Sequence, residues 1–258
     1  MNTENRYSLL ILCLTLMVIG TSCQKELSSD SAATAYISIR FHPKINGTPF
    51  RLNETYTNSF GESYSATIFK FYFGQIALSG NPQHSQAVNG DPYYLVDLAD
   101  PSSLEINTTI KPGTYNAISV LLGVDSARNV SGVQSGALDP AKGMFWTWNT
   151  GYIYTKLEGT SPSSTQVNGK FEYHIGGFRW PYSAIRNFTV TLTDTDTWQL
   201  QEGKTLELDI SVDMDAFFNY SYPVRISEEP VCMTPGELAY QISGNFAGAF
   251  QLTQFDIN

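Results

Sequence analysis

Charged residues are scarce in this chain, and basic residues are scarcer than acidic ones. Lysine and arginine number 15 against 24 aspartates and glutamates, so charged residues are 15% of the 258 residues and the formal net charge is −9. Soluble proteins usually contain about 25% charged residues. A nucleic-acid-binding protein needs a basic face to neutralise phosphates, and this composition excludes that class. Low charge together with 13% aromatic residues is typical of exported all-β proteins.

Cysteine and histidine are also rare, with three of each. Cys13 and Cys23 belong to the N-terminal leader described below, so Cys232 is the one thiol of the predicted folded part and no internal disulfide is expected. We predict that Cys232 is buried as a small apolar residue, with a soft metal ligand as the alternative. The hydrolase and redox motifs G-x-S-x-G, H-E-x-x-H and C-x-x-C are absent, so we predict a protein that is not an enzyme.

The first 22 residues have the pattern of a signal peptide. Arg6 precedes a mostly apolar run from Leu9 to Gly20, which is too short to span a membrane comfortably as a permanent helix. Small residues then lead into Cys23, as in a bacterial lipobox, although Gly20 stands where leucine is usual. We expect Cys23 to be lipidated after cleavage and residues 23–34 to form a polar tether, which places the protein in the cell envelope as an outer-membrane lipoprotein, periplasmic or surface-facing. The alternative is an ordinary cleaved signal with an unmodified cysteine.

The rest of the chain has the alternation and turn signals of an antiparallel β-sandwich or barrel-like sandwich over residues 35–258, with long loops and one or two short C-terminal helices. Asn46-Gly47 is a hairpin turn signal, Gly74 suggests a bulge, and Thr234-Pro235-Gly236-Glu237 reads as a capping box that opens a helix to about Ile242. Acidic residues after Leu206 are interpreted as a solvated outer face rather than a calcium site. Predicted strands cover residues 35–41, 67–78, 93–98, 115–123, 188–192 and 206–214.

The stretch from Ala137 to Ser161 concentrates aromatic residues. Trp146 and Trp148 would share one face of a strand, either as core residues or as one wall of a pocket. Upstream, Asp139 is predicted to cap the turn at Pro140. Asp125 and Arg128 have two interpretations. They pair to fix a loop, or Asp125 holds a metal-ligating imidazole in one tautomer.

Several segments together resemble the MbnP-like family of exported copper-binding proteins, most closely its lipoprotein members from Bacteroidetes-type bacteria. The resemblance extends over most of the mature chain, from about residue 35 to residue 252. The segments that carry it are Tyr56-Thr-Asn58 with Gly61, Leu121 to Arg128, Gly136 to Pro140, Gly143 to Asn149 with Gly151-Tyr152, Lys156 to Gly159, and His174-Ile-Gly-Gly177.

This resemblance implies an all-β domain that binds a copper ion and works with a di-haem enzyme similar to cytochrome c peroxidase and with an outer-membrane transporter. In some relatives histidines and a tryptophan oxidised to kynurenine hold the metal. Carried over to this chain, the metal ligands would be His42 and His174, and the modified or site-lining residue would be Trp146 or Trp148. Some relatives have further histidines near the C-terminus, where this chain has none. His84, in a polar segment, is interpreted as a surface residue.

A glycan-binding or adhesive β-sandwich is the alternative from another functional class. In that case the aromatic stretch would form a stacking platform for sugar rings, built from Trp146, Trp148, Tyr152 and Tyr154. Exposed indoles with the histidines far apart would favour sugar. Indoles beside paired imidazoles would favour copper.

Overall fold

A computed structural model describes residues 33–80, 84–146, 151–192 and 197–258 of the chain. The predicted signal peptide, the lipidation site at Cys23, Trp148 and the side chain of His84 lie outside the described residues. In the described part of the chain, no helix is long and apolar enough to cross a membrane.

The described residues form two main β-sheets and one short two-stranded sheet, so the predicted all-β sandwich-like fold is confirmed. The smaller main sheet contains β1 (Ala35–Ile45), β2 (Thr48–Pro49), β7 (Glu105–Ile110), β14 (Thr205–Asp213) and β16 (Phe250–Ile257). The larger main sheet contains β3 (Thr55–Thr57), β4 (Ser63–Gly80), β5 (His84–Ala87), β6 (Tyr93–Asp97), β9 (Ala117–Leu122), β10 (Ile153–Thr160), β11 (Lys170–Gly176), β12 (Arg186–Thr191) and β15 (Val231–Cys232). The short sheet pairs β8 (Gly113–Tyr115) with β13 (Trp198–Leu200).

Pairing in the smaller sheet follows the order β16-β14-β1-β2, with β7 also paired to β1, and β1 runs parallel to β14. In the larger sheet the order is β12-β9-β4-β10-β11-β15, while β3, β5 and β6 also pair with β4. Two α-helices, α1 (Ser126–Val130) and α2 (Glu237–Ala247), and four short 3₁₀ turns at residues 101–104, 136–138, 140–142 and 167–169 complete the described elements.

Alternation along β1 builds the core between the sheets. Ile37, Ile39 and Phe41 are buried on one face, and the ring centroid of Phe41 lies 4.8 Å from that of Phe73 and 5.5 Å from that of Phe71 in β4. Because successive strand residues point to opposite faces, every second side chain of β1 is directed away from this core. The predicted alternation is therefore confirmed.

The long strand β4 contains the predicted bulge next to Gly74. Its pairing with β9 shifts register between Gly74 and Ala77, and Gln75 has a positive φ of 47°. A Cβ atom on Gly74 would lie 2.4 Å from the ring of Tyr93, so only glycine fits this close approach. The predicted turn at Asn46-Gly47 is also present, with φ of 50° and 78°, and it joins Ile45 to Thr48 as a two-residue hairpin.

The predicted capping box at Thr234 is wrong. Helix α2 begins at Glu237, its N-cap residue is Gly236, and no side chain caps it. Pro235 packs against Gly177, where a Cβ would approach Pro235 Cβ to 2.8 Å, and the helix begins only after this contact. The helix also runs past Ile242 to Ala247, since Phe246 continues its buried face and contacts the rings of Phe71 and Phe250.

Candidate functional site

His174 lies on the outer face of the larger sheet. Its neighbours in β11, Tyr173 and Ile175, are buried in the core, so the imidazole is directed to the opposite face. There its Nε2 atom lies 2.7 Å from Oε1 of Glu158 in β10, and Nζ of Lys156 lies 3.0 Å from the same oxygen. His174 is 7% exposed, and the side chains of Glu158 and Lys156 are 20% and 16% exposed, so these contacts are made at a largely buried position.

Glu158 is held in its charged form at this position. The hydrogen bond from His174 is the main cause that lowers its pKa to about 2, burial opposes the shift, and Lys156 adds to it. In register across the sheet, Lys156 is followed by Lys70 in β4 and then by Asp97 in β6, whose carboxylate lies 2.8 Å from Lys70 Nζ. The positive charges of Lys156 and Lys70 are therefore matched by the negative charges of Glu158 and Asp97.

Trp146 covers the end of the same face. Its indole is 4% exposed and lies over Gly176, where a Cβ atom would come within 2.7 Å of Trp146 Cη2. Gly176 follows His174 by two positions in β11, so the indole and the imidazole share one face of the sheet. The structure thus places Trp146 on the sheet face that carries His174, through its approach to Gly176.

The other described aromatics of this stretch are buried. Tyr152 donates its hydroxyl to the carbonyl of Leu138 at 2.9 Å, and the hydroxyl of Tyr154 accepts a hydrogen bond from Asn129. Tyr152 is 0% and Tyr154 2% exposed. A stacking platform formed by these tyrosines and Trp146 is therefore wrong.

His42 lies elsewhere, on the outer face of the smaller sheet. Its Nε2 atom is 2.7 Å from Oδ1 of Asp209, and its side chain is 55% exposed. Phe41 and Tyr173 both point into the core between the sheets, so the imidazole that follows each of them is directed away from that core, in opposite directions. The expected convergence of His42 and His174 is wrong.

The acidic face of β14 is paired with an arginine. Arg40 in β1 contacts Glu207 at 2.7 Å through Nη2 and Asp209 at 3.0 Å through Nε. The hydrogen bond from Arg40 is the main cause that lowers the pKa of Asp209. These contacts agree with the interpretation of this row as an outer face rather than a calcium site.

Asp125 stabilises the loop that follows β9. Its carboxylate caps α1 by accepting the backbone N–H of Arg128, and it also contacts Arg128 Nη1 at 2.6 Å, the hydroxyl of Tyr93 at 2.7 Å and Nε2 of Gln75 at 3.0 Å. Burial raises its pKa, but the hydrogen bonds from Tyr93 and Arg128 outweigh burial and the net pKa is lowered. Asp125 thus fixes the loop, and none of its hydrogen-bond partners within the described ranges is a histidine. Asp139 caps the turn at Pro140 as predicted.

The described side chains do not close a metal site by themselves. Across residues 33–80, 84–146, 151–192 and 197–258, no group of three or more His, Cys, Asp or Glu side chains is placed to hold a metal ion. Cys232 is buried, as predicted, and burial raises the pKa of its thiol to about 12. His174 and Glu158 are a largely buried pair of side chains that could bind a metal, but two side chains are fewer than a metal site needs.

A cavity of about 480 Å³ opens next to Trp146. Its lining was not predicted from the sequence. The side chain of Trp180 is 91% exposed there and that of Tyr182 is 41% exposed. The run Phe178-Arg-Trp-Pro-Tyr182, which follows two glycines and does not alternate, is the sequence signal for this rim. Six of the residues that line the cavity are Trp146, Phe178, Arg179, Trp180, Tyr182 and Pro235.

A family model, MbnP, matches residues 34–234 of the chain. The chain belongs to the MbnP family. Among solved structures, MbnP from Methylosinus trichosporium matches with a TM-score of 0.49 and 12% sequence identity, covering 87% of this chain and 98% of that one. No curated protein matches the chain. The MbnP match includes His42, Trp146, His174 and the cavity rim at Trp180, and it ends before α2 and β16.

Proposed function

We propose that this protein is an exported, non-catalytic binding protein that takes part in copper handling, with His174 as its metal-contacting side chain. Membership in the MbnP family carries the proposal, since the resemblance to exported copper-binding proteins implies this role. The arrangement of His174 between Glu158 and Trp146 supports His174 over His42 as the contact.

The chemistry of the pair suits one end of a copper site. Metal-ligating histidines usually have one ring nitrogen held by a carboxylate, and Glu158 occupies Nε2 of His174, which leaves Nδ1 for a metal. A neutral imidazole is a suitable copper ligand. His42 also has a carboxylate neighbour, but it is 55% exposed, so water competes for any ion there.

The donor set is incomplete, and this limits what the chain contributes. Protein copper sites generally use about three or four donors, whereas His174 and Glu158 supply at most two. We therefore assign only one role to each residue. His174 contacts the metal, and Glu158 orients the imidazole of His174. We assign no reaction step to either.

The remaining parts of the proposal come from the family resemblance and the leader sequence. Lipidated Cys23 would anchor the protein to the outer membrane, and a di-haem enzyme similar to cytochrome c peroxidase and an outer-membrane transporter would be its partners. The enzyme would oxidise Trp146 or Trp148 to kynurenine. Of these two, Trp146 is in the described part of the chain and lies on the face that carries His174.

The experiment is a copper titration of residues 24–258 against a competing chelator, for both Cu(I) and Cu(II). We expect one bound copper per chain. His174→Ala should lower the affinity by at least about tenfold, whereas the matched control His42→Ala should leave it unchanged. Absence of copper binding, or an equal loss in both variants, would contradict the proposal.

The modification has its own test, because recombinant protein would lack the partner enzyme. Protein isolated from its native host should show a mass increase in the peptide that contains Trp146 and Trp148. An unmodified peptide would remove kynurenine from the proposal and leave the copper titration unaffected.

A further inference from the structure

The cavity beside Trp146 has an unusual rim. Trp180 is 91% exposed. This is unusual, because an indole is among the largest apolar side chains and its burial usually stabilises the folded protein. Tyr182, two residues later, is also exposed on the same rim. Aromatic rings kept in water beside a concave surface mark a binding site more often than a structural one.

Two buried side chains line this cavity. Trp146 is 4% exposed and lies against Gly176, and Asn129 is 1% exposed. The amide of Asn129 is fully engaged. Its Oδ1 accepts the backbone N–H of Tyr152 at 2.9 Å and its Nδ2 lies 2.8 Å from the carbonyl of Val124. The described part of the cavity lining therefore includes a side chain that hydrogen bonds hold in place.

The polar side chains that line the described part of the cavity are hydrogen-bond donors, not carboxylates. Arg179 and Thr234 line the cavity, and no carboxylate is among its described lining residues. Among the described residues Arg179 forms no ion pair, and its Cζ lies 5.5 Å from the ring of Phe178. A planar guanidinium next to exposed rings leaves several donors for hydroxyl oxygens.

We propose that this cavity binds a neutral glycan, with one sugar ring stacked on Trp180 and its hydroxyls bonded by Arg179 and Thr234. A sugar ring has an apolar C–H face for the indole and hydroxyls for the donors, and the cavity volume suits one or two such rings. Hydroxyl oxygens can accept hydrogen bonds from Arg179 and Thr234 without any charge on the ligand, and the anionic arm of the experiment tests whether Arg179 selects an acid instead. This site shares Trp146 with the proposed copper role, but its ligand contacts are Trp180, Arg179 and Thr234, which that role does not use.

The experiment is affinity electrophoresis followed by calorimetry, with residues 24–258 and soluble dextran, laminarin, xyloglucan and galactomannan, and with polygalacturonate as the anionic arm. We expect binding to at least one neutral polysaccharide that is insensitive to salt. Trp180→Ala should weaken this binding by about tenfold or more, Trp180→Phe should weaken it less, and Arg179→Gln should also weaken it. The matched control is Tyr36→Ala, which removes another exposed aromatic ring, on the smaller sheet.

The Trp180 variants are expected to fold, because Trp180 is almost fully exposed, and circular dichroism checks the fold of every variant. The proposal would be overturned if the protein bound none of the four neutral polysaccharides. Binding to polygalacturonate alone would overturn it too, as would equal effects of Trp180→Ala and Tyr36→Ala. The copper titration is read out separately, because His174 does not line the cavity and the variants of this test change neither His174 nor Trp146.

Discussion

Nε2 of His174 and Oε1 of Glu158 lie 2.7 Å apart on neighbouring strands of the larger sheet. The contact is largely buried, and Nζ of Lys156 lies 3.0 Å from the same oxygen. Hydrogen bonds to a charged group in such surroundings are stronger than exposed ones, and removal of one partner leaves the other without compensation. The pair therefore contributes to stability whether or not a metal binds there.

Glu158 should make stability depend on acidity. Its pKa is lowered from 4.5 to about 2 in the folded chain, so its contribution is complete above pH 4.5 and is lost as the pH falls towards about 2. A shift of this size corresponds to about 3 kcal/mol in the free energy of unfolding, and solvent screening of the partly exposed Glu158 side chain lowers it to roughly 2 kcal/mol. Urea unfolding at a series of acidic pH values measures it.

Glu158→Gln should lower stability at neutral pH and flatten this acidic dependence. Glu172→Gln is the matched control, because Glu172 lies opposite Glu158 in the strand register. If both variants keep the slope of the parent chain between about pH 4.5 and about 2, the assigned role of Glu158 is incorrect.

Gly176→Ala should destabilise the fold by about 1–3 kcal/mol through overpacking. The added Cβ would lie 2.4 Å from the carbonyl oxygen of Tyr152 and 2.7 Å from Cη2 of Trp146, and the backbone oxygen cannot move aside. Urea unfolding is the measurement. Gly236→Ala serves as the control, since a Cβ there meets nothing within 4 Å. An equal loss in the two variants would show that Trp146 does not lie over Gly176.

Asn129→Ala should cost about 2–4 kcal/mol, because several buried hydrogen bonds are lost together. Asn129 is 1% exposed, and its amide joins the backbone of Tyr152, the hydroxyl of Tyr154 and the carbonyls of the loop before α1. Chemical denaturation of this variant beside Asn187→Ala, an exposed asparagine of β12, gives the comparison. A loss no larger than that of the control would mean that Asn129 does not hold this loop.

Cys232 should resist alkylation in the native protein. Burial raises the pKa of its thiol to about 12, so little thiolate exists at mildly alkaline pH. In residues 24–258 it is the one cysteine, and iodoacetamide labelling measured by mass spectrometry follows it directly. We expect slow labelling in buffer and rapid labelling in urea. Rapid labelling of the native chain would mean that the thiol is accessible.

Local sequence patterns predicted much of the fold. The alternation of β1 and of β14, the turn at Asn46-Gly47 and the bulge at Gly74 are all present, because each depends on the side-chain period of a strand or on the backbone freedom of one or two residues. The start of α2 was missed. Thr234 has the right residue type for a cap, but the packing of Pro235 on Gly177, distant in sequence, decides where the helix begins.

The candidate site was predicted in part. The resemblance led to His174 and Trp146, which do share one face of the larger sheet. His42 was wrongly placed with them. The alternation of β1 directs His42 away from the core, but a two-residue period does not say which of the two sheets contains a strand. Trp180 was missed because the sequence alone does not show whether a tryptophan outside a regular strand or helix is exposed or buried.

The sequence by itself determined the all-β class, the chain's membership in its family and the burial of Cys232, because these depend on composition, on local periodicity and on motif identity. Only the tertiary structure decided which polar side chains meet. The packing of Phe41 and Tyr173 between the sheets directs His42 and His174 to opposite outer faces, and it leaves His174 with Glu158 and Trp146. Such meetings depend on contacts between residues far apart along the chain, which a local pattern does not contain.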